Sequence, residues 1–467
     1  MDASSQSMTT KEIVLSTCQQ KAYDMLTLHY NSDDNLINLV GPAGCGKTFL
    51  LSYWCNHQSS LRETVFLSPT HRAKEVLIKC LPKEAHVMTT DSFLGLRMTV
   101  NPFTLETEFR PIGDWTHNPD NKKWEYIEDN DNKQEEIIKW DTIKVVIQDE
   151  SSMLSKESSD KGMLLINQCI QHNVKLILSG DDLQLPPING QWMFPLRVLN
   201  NKRIQVIHMT TQLRSSKNDL QDSFNILRKA VKNNGKGFKL VPTDNIKPIS
   251  YKNILKCDFK RTRILAHTNK RVAYHNNIIL QHIRRQQGIS KNILLYPGDL
   301  VLTMEAIPTN RPNDMLNNGH EFIIYDVQNT AFNLSKDMQR EFPEFKDIHV
   351  PCYKIFTSPT TWIICAKRNS THYLKFQSKI NDVKREIKNN PNNLKSILKL
   401  YSELSSINGR IVHSFAQTVY KSQGSTYPRV IVDTQDIFEY GGDTTWRLLY
   451  VAFSRASHKI NIIRKIE

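Results

Sequence analysis

Gly41-Pro42-Ala43-Gly44-Cys45-Gly46-Lys47-Thr48 has the spacing G-x-x-x-x-G-K-[ST]. Its flanks decide how it is read. Asn35-Leu36-Ile37-Asn38-Leu39-Val40 before it has the composition of a short buried strand, and Phe49-Leu50-Leu51-Ser52-Tyr53-Trp54-Cys55 after it opens a helix. A glycine-rich turn between strand and helix lets backbone N–H groups converge on a polyphosphate at the positive end of the helix dipole. Gly41, Pro42, Ala43, Gly44, Cys45 and Gly46 then form the cradle, Lys47 reaches the β- and γ-phosphates, and the Thr48 hydroxyl ligates Mg²⁺. A chance glycine-rich turn would not bring these flanks and the Lys-Thr pair with it. The expected cofactors are ATP and Mg²⁺.

The remaining composition asks what the nucleotide drives. The chain has 467 residues, enough for two to four domains. Lys and Arg number 61 against 47 Asp and Glu, a net charge of +14, which favours a polyanionic partner, nucleic acid before membrane. Its eight cysteines form no C-x-x-C pair and read as reduced thiols of an intracellular protein. No apolar run approaches the roughly 18 residues of a membrane span, and Met1 to Thr10 lacks a signal-peptide core. The expectation is a soluble protein with no membrane partner, cytoplasmic or, in a eukaryotic host, nuclear.

Taken in order, residues 11–30 have helical periodicity with a Ser16-Thr17 entry, and Gln19 or Gln20 has an amide able to pair with an adenine edge. Thr64 to Thr70 and Val87 to Leu94 read as strands with polar loops at their ends, where ligands bind in open α/β sheets. Ser68, Pro69, Thr70 and Thr89 are therefore candidate nucleic-acid contacts. Residues 95–140 change character: Phe103, Phe109, Trp115, Trp124, Tyr126 and Trp140 alternate with turn residues, and Trp115 and Trp124 flank the turn Asn118 to Asn121. They read as an inserted, protruding β-hairpin. Ile143 to Glu150 is a strand ending in two carboxylates, with Asp149 the candidate metal ligand and Glu150 the candidate base for an attacking water. Val174 to Asp181 is the next strand, and it runs into Gln184-Leu185-Pro186-Pro187, whose glutamine is the candidate γ-phosphate sensor.

With these residues in place, the phosphate loop, Gln148-Asp149-Glu150-Ser151 and Gly180-Asp181-Asp182-Leu183-Gln184-Leu185-Pro186-Pro187 resemble motifs I, II and III of superfamily 1 helicases, most closely the B group of RecD- and Dda-like enzymes. Gln212-Leu213-Arg214-Ser215 resembles motif IV, Ala416 to Ser425 motif V, and Leu449 to Ala456 motif VI. Ala266-His267-Thr268-Asn269 resembles a second-domain segment, and Leu15 to Ala22 the adenine-reading Gln motif, with Gln19 the better-placed glutamine. The likeness spans residues 15–456. Asp91 and Tyr420 depart from it, each standing where relatives often carry His.

The resemblance implies two RecA-like P-loop motor domains with an inserted β-hairpin subdomain (1B) and an SH3-like β-barrel subdomain (2B). The first motor domain would take residues 1–94 and 141–209, with 1B at 95–140. The second would take 210–294 and 409–467, with 2B and a helical elaboration at 295–408. The helical periodicity over 375–405 is also compatible with a solvated linker helix.

The same resemblance implies catalytic roles for Lys47, Glu150 and Gln184 from the first domain and Arg214 and Arg455 from the second, with Gly424 also at the nucleotide. Pro69, Thr70, His71, Thr89, Thr268, Asn269, Thr418, Lys421 and Ser422 become nucleic-acid contacts, and Phe93 and Phe415 either stack bases or pack the core. It implies a monomeric DNA helicase moving 5′→3′ on single-stranded DNA and acting at duplex junctions, with single-strand-binding or replication proteins as partners. An RNA helicase and an ATP-switched nucleoprotein remodeller stay open as alternatives, as do roles in replication, repair and recombination.

Overall fold

The computed structural model describes residues 14–58, 60–100, 107–111, 113–118, 123–128, 140–154, 161–187, 194–200, 202–212, 217–312, 314–389 and 394–463. Two parallel sheets organise them. The first contains β1 (Leu36–Val40), β2 (Thr64–Ser68), β3 (His86–Thr89), β4 (Val145–Gln148), β5 (Lys175–Gly180) and β6 (Gln205–His208), in the spatial order β6-β1-β5-β4-β2-β3. Every neighbouring pair is parallel. β1, β2, β4 and β5 are buried along nearly their whole length and need continuous apolar runs rather than alternation, which makes them legible as strands; β6, half-exposed at the sheet edge, has no such run and is not read as one. Alternate residues feed two cores: Val145, Ile147, Ile37 and Phe66 on one face, Val146, Val65, Val40 and Leu176 on the other. Helices α1 (Thr17–Tyr30), α2 (Lys47–Gln58), α3 (His71–Cys80) and α4 (Lys161–Gln171) accompany this sheet.

The second sheet holds β7 (Ile246–Pro248), β8 (Thr262–Ala266), β9 (Ala416–Thr418), β10 (Tyr427–Asp433) and β11 (Ala456–Ile463), ordered β7-β11-β10-β8-β9 and again all parallel. With it go α5 (Asn218–Lys232), α6 (Asn269–Gln286) and α7 (Thr445–Ser454). Two separate three-layer α/β units result, the architecture expected of paired motor domains. No helix among the described residues is long and apolar enough to cross a membrane.

The insertion after β3 differs from the single hairpin expected. It forms two successive antiparallel ribbons, Leu96–Val100 with Thr107–Pro111, then Gly113–Asn118 with Lys123–Glu128. Pro111 has no N–H with which to extend the first ladder, and the chain starts a new ribbon at Gly113. Trp115 pairs in register with Tyr126 and Trp124 with His117, whereas Phe109 lies on the first ribbon opposite Met98. Phe103 and turn residues 119–121 lie outside the described residues. Trp140 belongs to the motor core instead: its ring meets Phe93 edge-on at 5.0 Å and stacks on His172 at 4.5 Å.

The second insertion is a β-module on two three-stranded antiparallel sheets. One is ordered Glu321–Ile323, Leu300–Thr303, Ile411–His413; the other is ordered Asp326–Phe332, Val350–Phe356, Trp362–Ala366. Val301, Ile307, Phe322, Ile355 and Ile363 form its shared core. The strand at Ile411–His413 lies past the boundary expected at residue 408. The helices Thr371–Asn389 and Leu394–Ser405 are not a solvated linker, because Phe376, Ile380, Val383, Ile397 and Leu400 pack with Leu334, Met338 and Val350 into a core of their own.

Candidate nucleotide and nucleic-acid site

The phosphate loop joins β1 to α2 as its spacing requires. Gly44 and Gly46 adopt φ of 81° and 82°, the left-handed region where a Cβ is penalised. Gly41 is needed for a different reason: a Cβ there would sit 2.7 Å from Cys45 Sγ and 3.0 Å from Met209 Cβ. Lys47 Nζ donates to Gly41 O at 2.9 Å and Pro42 O at 3.2 Å, holding the ammonium over the loop.

The Thr48 hydroxyl donates to Asp149 Oδ2 at 3.0 Å, and Asp149 Oδ1 accepts from Ser179 Oγ at 3.2 Å and the Glu150 N–H at 2.9 Å. The two oxygen donors expected of a Mg²⁺ site therefore already touch. Among the described residues no three His, Cys, Asp or Glu side chains converge on a metal. A magnesium ion here would draw on Thr48, Asp149, phosphate oxygens and water, the mixed set that this small cation takes.

Glu150 ends β4 with φ 49° and ψ 39°, a left-handed conformation that costs a non-glycine residue about 1–2 kcal/mol. Glycine is ordinarily about 0.5–1 kcal/mol worse than alanine in regular structure. Here the order should reverse, with Glu150→Gly unfolding at a higher temperature than Glu150→Ala, because both lose the carboxylate and only one keeps the strain. An alanine variant as stable as the glycine variant would show that the turn stores no strain.

Asp181 lies fully buried at the end of β5. Its Oδ2 accepts the Ala43 N–H at 3.1 Å and the Tyr450 hydroxyl at 2.5 Å, and its Oδ1 accepts Arg228 Nη1 at 2.9 Å. Burial alone would raise its pKa; the charges of Arg228 and Lys47, with hydrogen bonds from Tyr450 and the Leu183 N–H, outweigh that and hold it below the usual carboxylate range. Arg228 on α5 and Tyr450 on α7 belong to the second motor domain, so this network ties that domain to the phosphate loop. Arg447 adds to it by donating to the carbonyls of Asp182 at 3.0 Å and Gln184 at 2.8 Å. Sequence reading missed Arg228, on a helix with no motif to mark it, and Arg447, which stands two residues ahead of the segment that resembles motif VI.

Arg455, just past α7, is 1% exposed. Burial pushes its guanidinium below the ordinary arginine range, and the nearby Glu150 carboxylate is the foremost charge opposing that. The guanidinium itself is bonded within the second domain, donating to Val451 O at 3.2 Å, Ser454 Oγ at 2.9 Å and Ser425 O at 3.4 Å. Arg214 lies outside the described residues, although Gln212 beside it donates its side-chain amide to Ala43 O. Gln184 is 2% exposed, and its Oε1, like Gln423 Nε2 and Ser425 Oγ, is buried with no hydrogen-bond partner among the described residues. Orphaned polar atoms on the segments around Arg455 fit a site built for a polar ligand. Gly424, between Gln423 and Ser425, has φ 76°, and a Cβ there would lie 3.5 Å from Ala73 Cβ of α3. Gln19 has an additional role: its Oε1 accepts from Ser16 N–H at 3.1 Å and Ser16 Oγ at 3.0 Å, closing a capping box on α1.

The candidate nucleic-acid residues gather at the carboxyl ends of β2, β3, β8 and β9. Thr70, Thr89 and Thr268 share a function that was not anticipated: each is a helix N-cap whose hydroxyl accepts an N–H, from Ala73, Ser92 and Arg271 respectively. Their hydroxyls are therefore engaged, and before the Thr268 helix the Asp436 carboxylate also takes the His267 and Thr268 N–H groups. Thr418 caps Lys421 N–H in the same way. Pro69 and Thr70 are half-buried, and His71 and Asn269 are exposed. Two candidates are corrected. Phe93, 4% exposed, packs against Trp140 and cannot stack a base, and Ser422, fully buried, donates its hydroxyl to Val419 O. Phe415, also 4% exposed, packs on Phe259. Asp91, the first departure from the motif pattern, is ion-paired with Lys161 of α4.

A family model described as an AAA domain matches residues 14–238, and a model of the UvrD-like helicase C-terminal domain matches residues 413–463. An uncharacterized protein of Acanthamoeba polyphaga mimivirus is 23% identical over 510 residues, covering 96% of this chain and 100% of that protein. Bacteroides Pif1 bound to single-stranded DNA superposes with a TM-score of 0.51 at 15% identity, over 98% of this chain and 93% of that one. The Bacteroides Pif1 helicase in complex with ADP-AlF3 and single-stranded DNA gives 0.50 at 14% identity, over 98% and 94%. At these identities the likeness is one of fold.

Proposed function

We propose, from the premise that this chain is a superfamily 1B helicase of the Pif1- and RecD-like group, that it is an ATP-driven DNA motor which tracks 5′→3′ on one strand and separates duplex ahead of it. One observation carries the reading: the phosphate loop of the first motor domain is bonded to the second, Ala43 N–H and the Asp181 carboxylate meeting the Tyr450 hydroxyl and Asp181 meeting Arg228, beside Lys47, Thr48 and Asp149. A site split in this way hydrolyses ATP only when the domains are closed. Closure also changes the spacing between the β2 and β3 loops of one domain and the β8 and β9 loops of the other. Phosphate contacts at those loops grip a strand without reading its sequence.

The chain's own residues divide the work. Lys47 and the loop amides hold the phosphates, Thr48 and Asp149 hold Mg²⁺, which supplies charge neutralisation, and Glu150 takes the proton of the attacking water. Gln184, whose side-chain oxygen still lacks a donor, orients that water, and Arg455 with Arg214 stabilises charge developing on the transferred group. Duplexes carrying a 5′ or a 3′ single-stranded tail test the assignment, with RNA strands as competitors of the ATPase. Separation only behind a 3′ tail would reverse the polarity. Stimulation by RNA alone would change the substrate. ATPase without separation on either tail would leave a remodeller.

The paired ribbons over 95–128 act as the wedge in this scheme. Their register sets Trp115 against Tyr126 and Trp124 against His117 on a projection outside the ATP site. Replacing Asn101–Asn132 by a short Gly/Ser turn should leave DNA-stimulated ATPase and single-strand translocation near parental while strand separation falls to background. Unwinding at the parental rate would refute the wedge, and loss of ATPase would show that the ribbons support the fold.

A further inference from the structure

The strand that carries the candidate metal ligand and base ends in a side chain that the nucleotide chemistry leaves unused. Gln148 closes β4 after Val145, Val146 and Ile147, and all four are fully buried. A buried amide costs free energy unless its polar ends are bonded, and a fourth aliphatic residue would carry no such cost. Here both ends are bonded. Nε2 donates to Asp149 O at 2.9 Å, and Oε1 accepts the Thr90 hydroxyl at 2.8 Å. The Ser151 hydroxyl donates to Gln148 O at 2.7 Å, so the side chain and the main chain of Gln148 both brace the turn on which Glu150 sits.

Thr90 belongs to another part of the sheet. It opens the short helix Thr90–Phe93 after β3, next to Thr89, one of the candidate nucleic-acid residues. β2 stands between β4 and β3. At about 4.8 Å per strand, β4 and β3 are roughly 10 Å apart, too far for a backbone hydrogen bond. The Gln148 and Thr90 side chains meet across the end of β2. There the Thr90 hydroxyl also lies 3.1 Å from the carbonyl of Ser68, the last residue of β2 before Pro69 and Thr70. Thr90 and Ser68 are as buried as Gln148. A hydroxyl has one proton to give. Two acceptors therefore compete for it, one on the strand end that leads to Pro69 and Thr70, the other on the amide that braces Glu150. A contested proton has two discrete arrangements, and coupling between two sites needs an element of that kind.

We infer that Gln148 is a positioning residue which, through Thr90, couples strand binding to ATP cleavage. When the β2 and β3 loops take hold of a strand, Ser68 O is drawn from Thr90 and the proton is committed to Gln148. The amide is then fixed against Asp149 O, and Glu150 is held in line for the attacking water. Without a strand the proton is shared with Ser68 O, and the turn at Glu150 is less constrained. The inference rests on the proposed motor, whose ATPase must answer to the strand it holds.

The test uses the full chain and its steady-state ATPase with and without a saturating oligothymidylate. Thr90→Val keeps the shape of the side chain and removes the proton, Thr90→Ser keeps the proton, and Gln148→Met removes the amide at similar length. In Thr90→Val and Gln148→Met the ratio of stimulated to unstimulated kcat should fall by about fivefold or more, while the unstimulated rate, the KM for ATP and the affinity for the oligothymidylate stay within about twofold of parental. The double variant should lose no more than either single one, because both interrupt the same path. Thr90→Ser should keep the parental ratio. Should Gln148→Met not fold, the two Thr90 variants carry the comparison, since both leave the bond from Gln148 to Asp149 O in place. A parental ratio in Thr90→Val overturns the inference. An unstimulated rate that falls as far as the stimulated one overturns it too, by making the two residues a brace for the fold. A parental ATPase that the oligothymidylate does not stimulate refutes the motor reading itself, an outcome visible before any variant is made.

Discussion

Glu150→Gln should bind ATP with near-parental affinity and hydrolyse it about 10²- to 10⁴-fold more slowly, the span over which a positioned general base contributes. Glutamine keeps the size of the side chain and takes away its ability to accept a proton. The phosphate-holding groups are untouched, because the Thr48–Asp149 contact and the Lys47 bonds to the loop carbonyls do not involve the Glu150 side chain. Lys47→Ala is the contrasting variant: it removes the one ammonium held over the loop, and both tight nucleotide binding and turnover should disappear. Equilibrium binding of a fluorescent ATP analogue together with single-turnover hydrolysis separates the two. Near-parental turnover in Glu150→Gln would mean that another group accepts the proton.

Arg228→Ala should be the most destabilising single change at the interface between the motor domains. It leaves the Asp181 carboxylate, wholly buried, without its principal counter-charge, a situation that costs about 3–5 kcal/mol and should lower the unfolding midpoint by roughly 5–10 °C. The pH dependence identifies the cause. In the parental protein the Asp181 pKa is held down, so its contribution is complete above the unfolded-state value near 4 and fades only as pH falls through the depressed folded value. In the variant burial dominates, the pKa rises, and protonation relieves the buried charge. The gap between variant and parent should therefore be widest near neutrality and narrow as pH falls toward about 4. A gap independent of pH would point to lost packing around the arginine stem. Arg228→Lys should restore only part of the loss, because its ammonium must take over from the single Nη1 that serves Asp181 and the Tyr450 hydroxyl, and nothing replaces the second nitrogen that faces Asp182 at 3.9 Å.

What the sequence disclosed was whatever is encoded within a few neighbouring residues. The strand ahead of Gly41, the carboxylates closing the strand at Gln148 and the rigid Pro186-Pro187 turn each carry their meaning in local pattern. Arg228 carries none. It is one of many cations on an amphipathic helix, and only the docking of α5 beside β5 makes it the partner of Asp181. Thr70, Thr89 and Thr268 carry a capping role that a linear pattern does not separate from a ligand contact, since a threonine before a helix is as much a cap as a contact. Phe93 and Phe415 look like stacking rings in a linear chain and become core once Trp140 and Phe259 close over them. The helices at 371–389 and 394–405 had visible periodicity, but a period states only that a face is apolar. That Leu334, Met338 and Val350 cover it is a matter of topology.

The strand β6 has a mechanical side. It lies parallel to β1, paired from Ile37 with Gln205 to Val40 with His208, and the chain leaves it directly for the second motor domain. That exit is the only covalent bridge between the two parallel sheets. In the proposed motor, tension applied to the second domain by a strand under load would reach the first through β6. Pulling along its axis loads the slanted, evenly spaced bonds of a parallel ladder in shear, all at once, where a perpendicular pull would unzip them in turn. The first residues past the ladder are in contact with the loop: Met209 N–H donates to Val40 O at 2.8 Å, the Met209 side chain closes over Gly41, and Gln212 holds Ala43 O. The tether between the two sheets and the phosphate loop are thus one continuous object, and in the proposed motor the nucleotide site would feel the force that its own chemistry generates.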